Sequence, residues 1–235
     1  MRGGSCGSTS SDPSRRPPIS IDAVIFDLDG VLIDSESAWA SVREQLTRES
    51  GGRWHQGAQE EMMGMSSSEW SRYMQQELGV PMEPAEISAA VVEGLEAYYR
   101  RRVPLLPHAV ETVRALAERW PLAVASSANR PLIDLVLELT GMAALFRATV
   151  SSEEVPRGKP EPDVYIEAAR RLDVVPERCA AVEDSTNGIN SARAAGMRVI
   201  AVPRPDFPPS PEALRFADAV LDSLSELEPV LDRLP

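Results

Sequence analysis

Four short apolar runs recur along the chain: Ala23-Val24-Ile25-Phe26, Leu122-Ala123-Val124-Ala125, Cys179-Ala180-Ala181-Val182 and Val199-Ile200-Ala201-Val202. None alternates with polar residues, which is the pattern of strands buried on both faces. Between them lie helical repeats: Val110, Val113, Leu116 and Trp120; Ile133, Val136 and Leu137; Tyr165, Ala168 and Leu172; Ile189, Ala192 and Ala195. Buried strands alternating with helices restrict the chain to one kind of architecture, an α/β fold with a parallel sheet. Pro131 and Pro162 stand where helices would begin, and Gly141 and Gly196 where they would end. Thr149-Val150 and Ala219-Val220-Leu221 are weaker strands that would complete the sheet.

The spacing of the first two runs is anomalous. From Gly30 to Ala125 the chain is about three times as long as the roughly 30 residues of a βαβ unit. The surplus carries three helical faces: Trp39, Val42 and Leu46; Trp70, Tyr73, Met74 and Leu78; Ile87, Val91, Leu95 and Tyr98. It contains no convincing strand. We therefore expect a helical cap at residues 35–105 inserted into a Rossmann-like core formed by 20–34 and 106–235. Two chain crossings near Pro104 and Pro107 would make a hinge. Residues 1–19, rich in Gly, Ser, Pro and Arg, are expected to be a disordered tail, and they lack the apolar centre of a secretory signal.

Charge and composition exclude several roles. The chain of 235 residues has a formal charge of -12, the wrong sign for a partner that carries a phosphate backbone, so nucleic acid is not expected. No apolar stretch approaches the roughly 18 residues of a membrane span. Cys6 and Cys179 do not make a disulfide framework, which fits a reducing cytoplasm. The two histidines, His55 and His108, are too isolated for a metal cluster or a histidine-based triad. The chemistry falls to carboxylates, and a monomer is expected.

In a parallel sheet, ligands bind outside the carboxyl ends of the strands. The first run ends in Asp27-Leu28-Asp29-Gly30, two acids that share a face if strand geometry persists. The second ends in Ser126-Ser127-Ala128-Asn129, a hydroxyl ahead of a helix N-terminus, where an anion is favoured. Gly158-Lys159-Pro160 follows in a loop, and Glu183-Asp184-Ser185 closes the third run. Each has a plainer reading by itself: Asp with Gly starts turns, Ser and Asn cap helices, and most lysines are solvated. Two acids directly after a buried strand, however, are costly without a neutralising cation.

Taken together, DxDG, Ser, Lys and Glu-Asp in this order resemble the haloacid dehalogenase superfamily of aspartate-nucleophile phosphotransferases over about residues 22–222. The segment from Phe26 to Glu36, with the helical insertion after it, resembles the branch containing β-phosphoglucomutase, phosphoglycolate phosphatase and small sugar-phosphate phosphatases. That resemblance implies Asp27 as nucleophile and Asp29 as general acid and base, with Ser126 and Lys159 holding the phosphoryl group. It implies Mg2+ held by Asp27, the Asp29 backbone carbonyl, Asp184 and Glu183, the last directly or through water. Backbone groups of Leu28 and Asn129, with Ser127, would complete the phosphate cradle, and Gly64 and Ser66 of the insertion would face the substrate, a small phosphorylated metabolite.

Asp29 argues for phosphoryl transfer over metal-independent dehalogenation. The absence of lysine from residues 35–105 excludes the phosphonate-cleaving branch, which uses a cap lysine. In the mutases a histidine assists the general acid and a cap arginine holds the distal phosphate. Trp39 and Ser67 occupy those positions here, which favours a phosphatase, although Arg72 or Arg43 could replace the missing charge. Met62, Met63 and Met65, with Trp39 and Trp70, either pack the insertion or line its face over the site, and packing is the default.

Overall fold

The computed structural model describes residues 21–63 and 65–234. The expectations for residues 1–19 and for Gly64 fall outside the described residues. β1 (Ala23–Phe26) is buried throughout and takes a parallel neighbour on each side, β2 (Leu122–Ser126) and β4 (Cys179–Glu183). With β3 (Phe146–Ser151), β5 (Arg198–Ala201) and β6 (Ala219–Val220) the sheet runs in the order β3-β2-β1-β4-β5-β6, every pairing parallel. The strand order reverses beside β1, where open α/β sheets bind their ligands.

Strand alternation divides the core into two layers. Val24, Phe26, Leu122, Val124, Val182 and Ile200 face one way, onto α5 (Ala109–Ala117) and α6 (Arg130–Leu139). Ala23, Ile25, Ala123, Ala125, Ala181 and Ala201 face the other, onto α7 (Asp163–Leu172) and α8 (Thr186–Ala194). The alanine-rich face allows α7 and α8 a close approach. His108, at φ 65, immediately precedes α5.

Between β1 and β2 the chain forms α1 (Glu36–Glu49), α2 (Ala58–Met62), α3 (Ser67–Gln76) and α4 (Pro84–Arg101). Three of these follow the apolar periods of the sequence. The exception is α2, whose five residues are too few to display a period. On α4 it is Tyr99, 2% exposed, that enters the core, while Tyr98 packs at its edge. The entering and leaving strands of chain lie side by side: Asp34 donates its N–H to Pro104 O at 2.7 Å, and Leu106 to Leu32 O at 3.0 Å. Among the described residues no helix is long and apolar enough to cross a membrane.

Candidate active site

The site is built by register. Phe26 pairs with Val124 on one side and Val182 on the other, so the residues that follow them, Asp27, Ala125-Ser126 and Glu183-Asp184, emerge level at the carboxyl rim. The Asp27 amide still donates to Val182 O at 3.0 Å. Strand geometry then stops. Gly30 N–H donates to Ile33 O at 2.8 Å, and the N–H groups of Leu32 and Ile33 donate to Leu28 O. This turn, and no continued alternation, brings Asp29 into the same cavity as Asp27.

Gly30 makes the turn possible. Its φ is +78°, a left-handed conformation, and a Cβ there would lie 1.8 Å from Asp184 Oδ2. Gly30→Ala must therefore displace Asp184 as well as strain the backbone. We expect a loss of about 1–3 kcal/mol in thermal unfolding together with weakened divalent-cation binding. Unchanged melting and metal titration would show that the contact is unimportant.

Lys159 joins the acids. Its side chain is 4% exposed, and Nζ donates to Asp27 Oδ1 at 2.9 Å and to Glu183 Oε1 at 2.6 Å. It is the only lysine in the chain. Burial opposes its charge, but the two carboxylates outweigh burial and hold its pKa above the usual lysine range. Glu183, fully buried, also accepts from the Tyr165 hydroxyl at 2.7 Å and, on Oε2, from Ser185 Oγ at 3.2 Å. Burial, followed by the nearby Glu183 and Asp29, outweighs Lys159 and pushes Asp27 up to about 7. Burial likewise raises Asp29, against the pull of Ser35, Trp39 and Ser126. Asp184 is pushed well above the carboxylate range by burial, then by Glu183 and Asp27.

Asp27, Glu183 and Asp184 each offer an oxygen within 4.8 Å of the others. Three converging carboxylates, with the ionisation of Asp27 and Asp184 resisted by burial and one lysine among them, fit a hard cation and can hold a metal. The Asp29 side chain lies outside this trio, on the Ser126 side: Ser126 Oγ is 3.5 Å from Asp29 Oδ2 and accepts from Ala128 N at 3.0 Å.

The cavity, about 150 Å³, is also lined by Ser127, Ala128, Asn187 and Arg204 from the sheet domain, and by Trp39, Met62, Met63, Met65 and Trp70 from the helical insert. The methionines and tryptophans thus serve packing and lining at once: Trp70 is 2% exposed and sits edge-on to Trp39, ring centroids 5.9 Å apart. Other expected residues do not turn their side chains to the cavity, Leu28 and Asn129 having been expected there through backbone groups only. The Leu28 side chain is in the core. Asn129 donates to Glu153 Oε1 at 2.6 Å and does not line the cavity. Ser66 is exposed at the start of α3, where its N–H and Oγ both donate to Glu69 Oε2 at 2.7 Å.

Residues that sequence reasoning did not assign include Tyr165, Glu36, Gln59 and Arg204. Tyr165 was legible only as an apolar helix position. Arg204 reaches the cavity from the loop after β5 and pairs with Asp34 at 3.0 Å, a contact with no signature in sequence.

Similarity to known proteins agrees with this geometry. A probable pseudouridine-5'-phosphatase of Drosophila melanogaster is 32% identical over 218 residues, covering 90% of this chain and 93% of that protein. Hexitol phosphatase B of Escherichia coli (strain K12) is 33% identical over 219 residues, covering 89% and 96%. The crystal structure of CbbY from Rhodobacter sphaeroides in complex with phosphate superposes with a TM-score of 0.79 at 29% identity, covering 88% of this chain and 96% of that one. The family model for haloacid dehalogenase-like hydrolases matches residues 24–202, from β1 to just past β5 and so through every acid of the rim. An aspartate pair, a buried lysine and an acidic pair set level by one parallel sheet, matched across that span, place this chain in the haloacid dehalogenase-like hydrolase family.

Proposed function

We propose that the chain is a Mg2+-dependent phosphatase that hydrolyses a small sugar phosphate through an aspartyl-phosphate on Asp27. The observation that carries this reading is the cavity shared by Asp27, Asp29 and Lys159, in which Lys159 holds Asp27, while the buried Ser126 hydroxyl stands 3.5 Å behind Asp29 Oδ2. Asp27 attacks phosphorus in line with the leaving oxygen. Asp29, whose burial favours the protonated form, gives that proton to the departing alkoxide and then takes one from the attacking water. Lys159 and the Ser126 hydroxyl balance charge on the phosphoryl oxygens.

Asp27 and Asp184, with the Asp29 backbone carbonyl, would hold Mg2+. Glu183 already accepts from Lys159, Tyr165 and Ser185 and so acts at one remove. The ion supplies charge neutralisation for the transferring group. Trp39, in the place of the mutase histidine, supports transfer to water over transfer to a second sugar phosphate.

The test is phosphate release from a panel of phosphorylated sugars and polyols in Mg2+, with isomerisation of glucose 1-phosphate measured alongside. Release from sugar monophosphates that stops in excess EDTA is expected. Undiminished release in EDTA, or isomerisation without release, would overturn the reading.

Metal binding should also depend on pH with a defined sign. Asp27 binds its proton more tightly folded than unfolded, so its contribution to stability is full below about pH 4 and is lost as pH rises through about 7. A bound cation removes that loss by favouring the ionised form. The rise in melting temperature produced by Mg2+ should therefore be larger at pH 8 than at pH 5, and an equal or opposite trend would contradict it.

A further inference from the structure

Arg43 has no task in the reaction described above, yet it lies at the cavity. It sits on α1 one turn after Trp39, is 5% exposed, and lines the cavity with Glu36 and Gln59. Its guanidinium carbon is 4.5 Å from the Trp39 ring centroid and 4.8 Å from that of Trp70, so two aromatic faces fix its plane. Nη1 donates to Gln59 Oε1 at 3.2 Å, and Gln59 Nε2 donates to Glu36 Oε2 at 2.8 Å. Nε is buried with no hydrogen-bond partner among the described residues.

A buried guanidinium normally meets a carboxylate directly. Here the nearest acid on its own wall is reached only through an amide. Burial lowers Arg43 to about 10, so it remains a cation at neutral pH. The strip Glu36, Gln59, Arg43 therefore presents an acceptor, a tether and a donor. Hydroxyl groups, which donate and accept, satisfy both ends of such a strip. A second phosphate or a carboxylate would satisfy Arg43 but would face the Glu36 carboxyl. Trp39, Trp70 and Met62 offer apolar surface to the carbon skeleton between the hydroxyls.

We propose that Arg43 is a substrate-binding residue that selects monophosphates whose far end is neutral and polyhydroxylated, its guanidinium and the Glu36 carboxylate bracketing the hydroxyls. This rests on the phosphatase reading and adds the class of substrate to it. Gln59 is a positioning residue, holding the guanidinium in place.

The experiment measures kcat and KM of the full chain in Mg2+ with three probes: a hexitol 6-phosphate, p-nitrophenyl phosphate, which has no hydroxyls, and a sugar bisphosphate. Wild type is compared with Arg43→Met, Arg43→Lys and Gln59→Leu. In Arg43→Met the ratio of kcat/KM for the hexitol phosphate to that for p-nitrophenyl phosphate should fall by about tenfold or more, mostly through KM. Arg43→Lys, lacking the planar fork, should recover only part of it. Gln59→Leu, at a half-buried position, should move the ratio the same way and carries the test if Arg43→Met does not fold. A ratio within about twofold of wild type in the folded variants overturns the proposal. So does a loss confined to the bisphosphate, which would make Arg43 an anion site. Wild type inactive on all three probes would instead overturn the phosphatase reading itself, and this proposal with it.

Discussion

Asp27→Asn should abolish phosphate release, lowering kcat by about 10⁴-fold or more, because the amide can neither attack phosphorus nor carry the phosphoryl group. The fold should survive. In the wild type the carboxylate is buried opposite Glu183 and titrates at about 7, so above that pH the folded state bears an ionised group that it disfavours. Asparagine removes that group. In EDTA at pH 8 the variant should melt no lower than wild type. Asp29→Asn serves as the companion: it keeps the nucleophile, so p-nitrophenyl phosphate, whose leaving group needs no proton, should still phosphorylate it. Acid quenching with labelled substrate should then trap phosphoprotein in Asp29→Asn and none in Asp27→Asn. Appreciable turnover by Asp27→Asn would remove the aspartyl-phosphate from the mechanism.

Lys159→Met should damage stability as well as activity. Lys159 is buried between Asp27 and Glu183, and Glu183 is wholly excluded from water. Removing one member of a buried charge network leaves the others uncompensated and costs about 3–5 kcal/mol. Urea denaturation in EDTA should show this loss, reduced at acid pH, where protonation of Asp27 relieves its repulsion with Glu183. Adding Mg2+ should recover part of the stability, since the cation replaces the missing positive charge beside Asp27, but activity should stay low. Lys159→Arg is not a conservative alternative, because a planar fork does not fit where a compact ammonium bridges two carboxylates. A change below about 1 kcal/mol in Lys159→Met would mean that the lysine is not the counter-charge of these acids.

The two predictions differ in how far they could be read from the chain alone. That Asp27 follows a buried strand is visible in Ala23-Val24-Ile25-Phe26, because an unbroken apolar run needs cover on both faces. That Lys159 reaches Asp27 is not visible. The two are far apart in sequence, and only the parallel pairing of β1 with β4 brings Glu183 level with Asp27 to receive the same ammonium. Asp29 lines the cavity with Asp27, but the tight turn at Gly30 sets its direction, where strand alternation was the expectation.

The helical insert divides in the same way. Its three longer helices were legible because each buries an apolar stripe with a regular period. Five-residue α2 was not, and it carries Gln59 and Met62 to the cavity wall. Ser66, expected at the substrate, caps α3 through Glu69, a local use of serine that competes with any ligand role.

By itself, then, the sequence determined the parallel α/β core, the helical insertion after the first strand and the acids at the carboxyl ends of the strands. These depend on local periodicity and on the short-range order of residue types, both of which are written along the chain. The tertiary structure alone decided that Lys159 and Tyr165 share Glu183, that Gly30 must leave room for Asp184, and that Arg43 is gripped by two tryptophans beside Gln59. Each joins residues from different parts of the chain, and contacts of that kind exist only once sheet register and helix packing have fixed which faces meet.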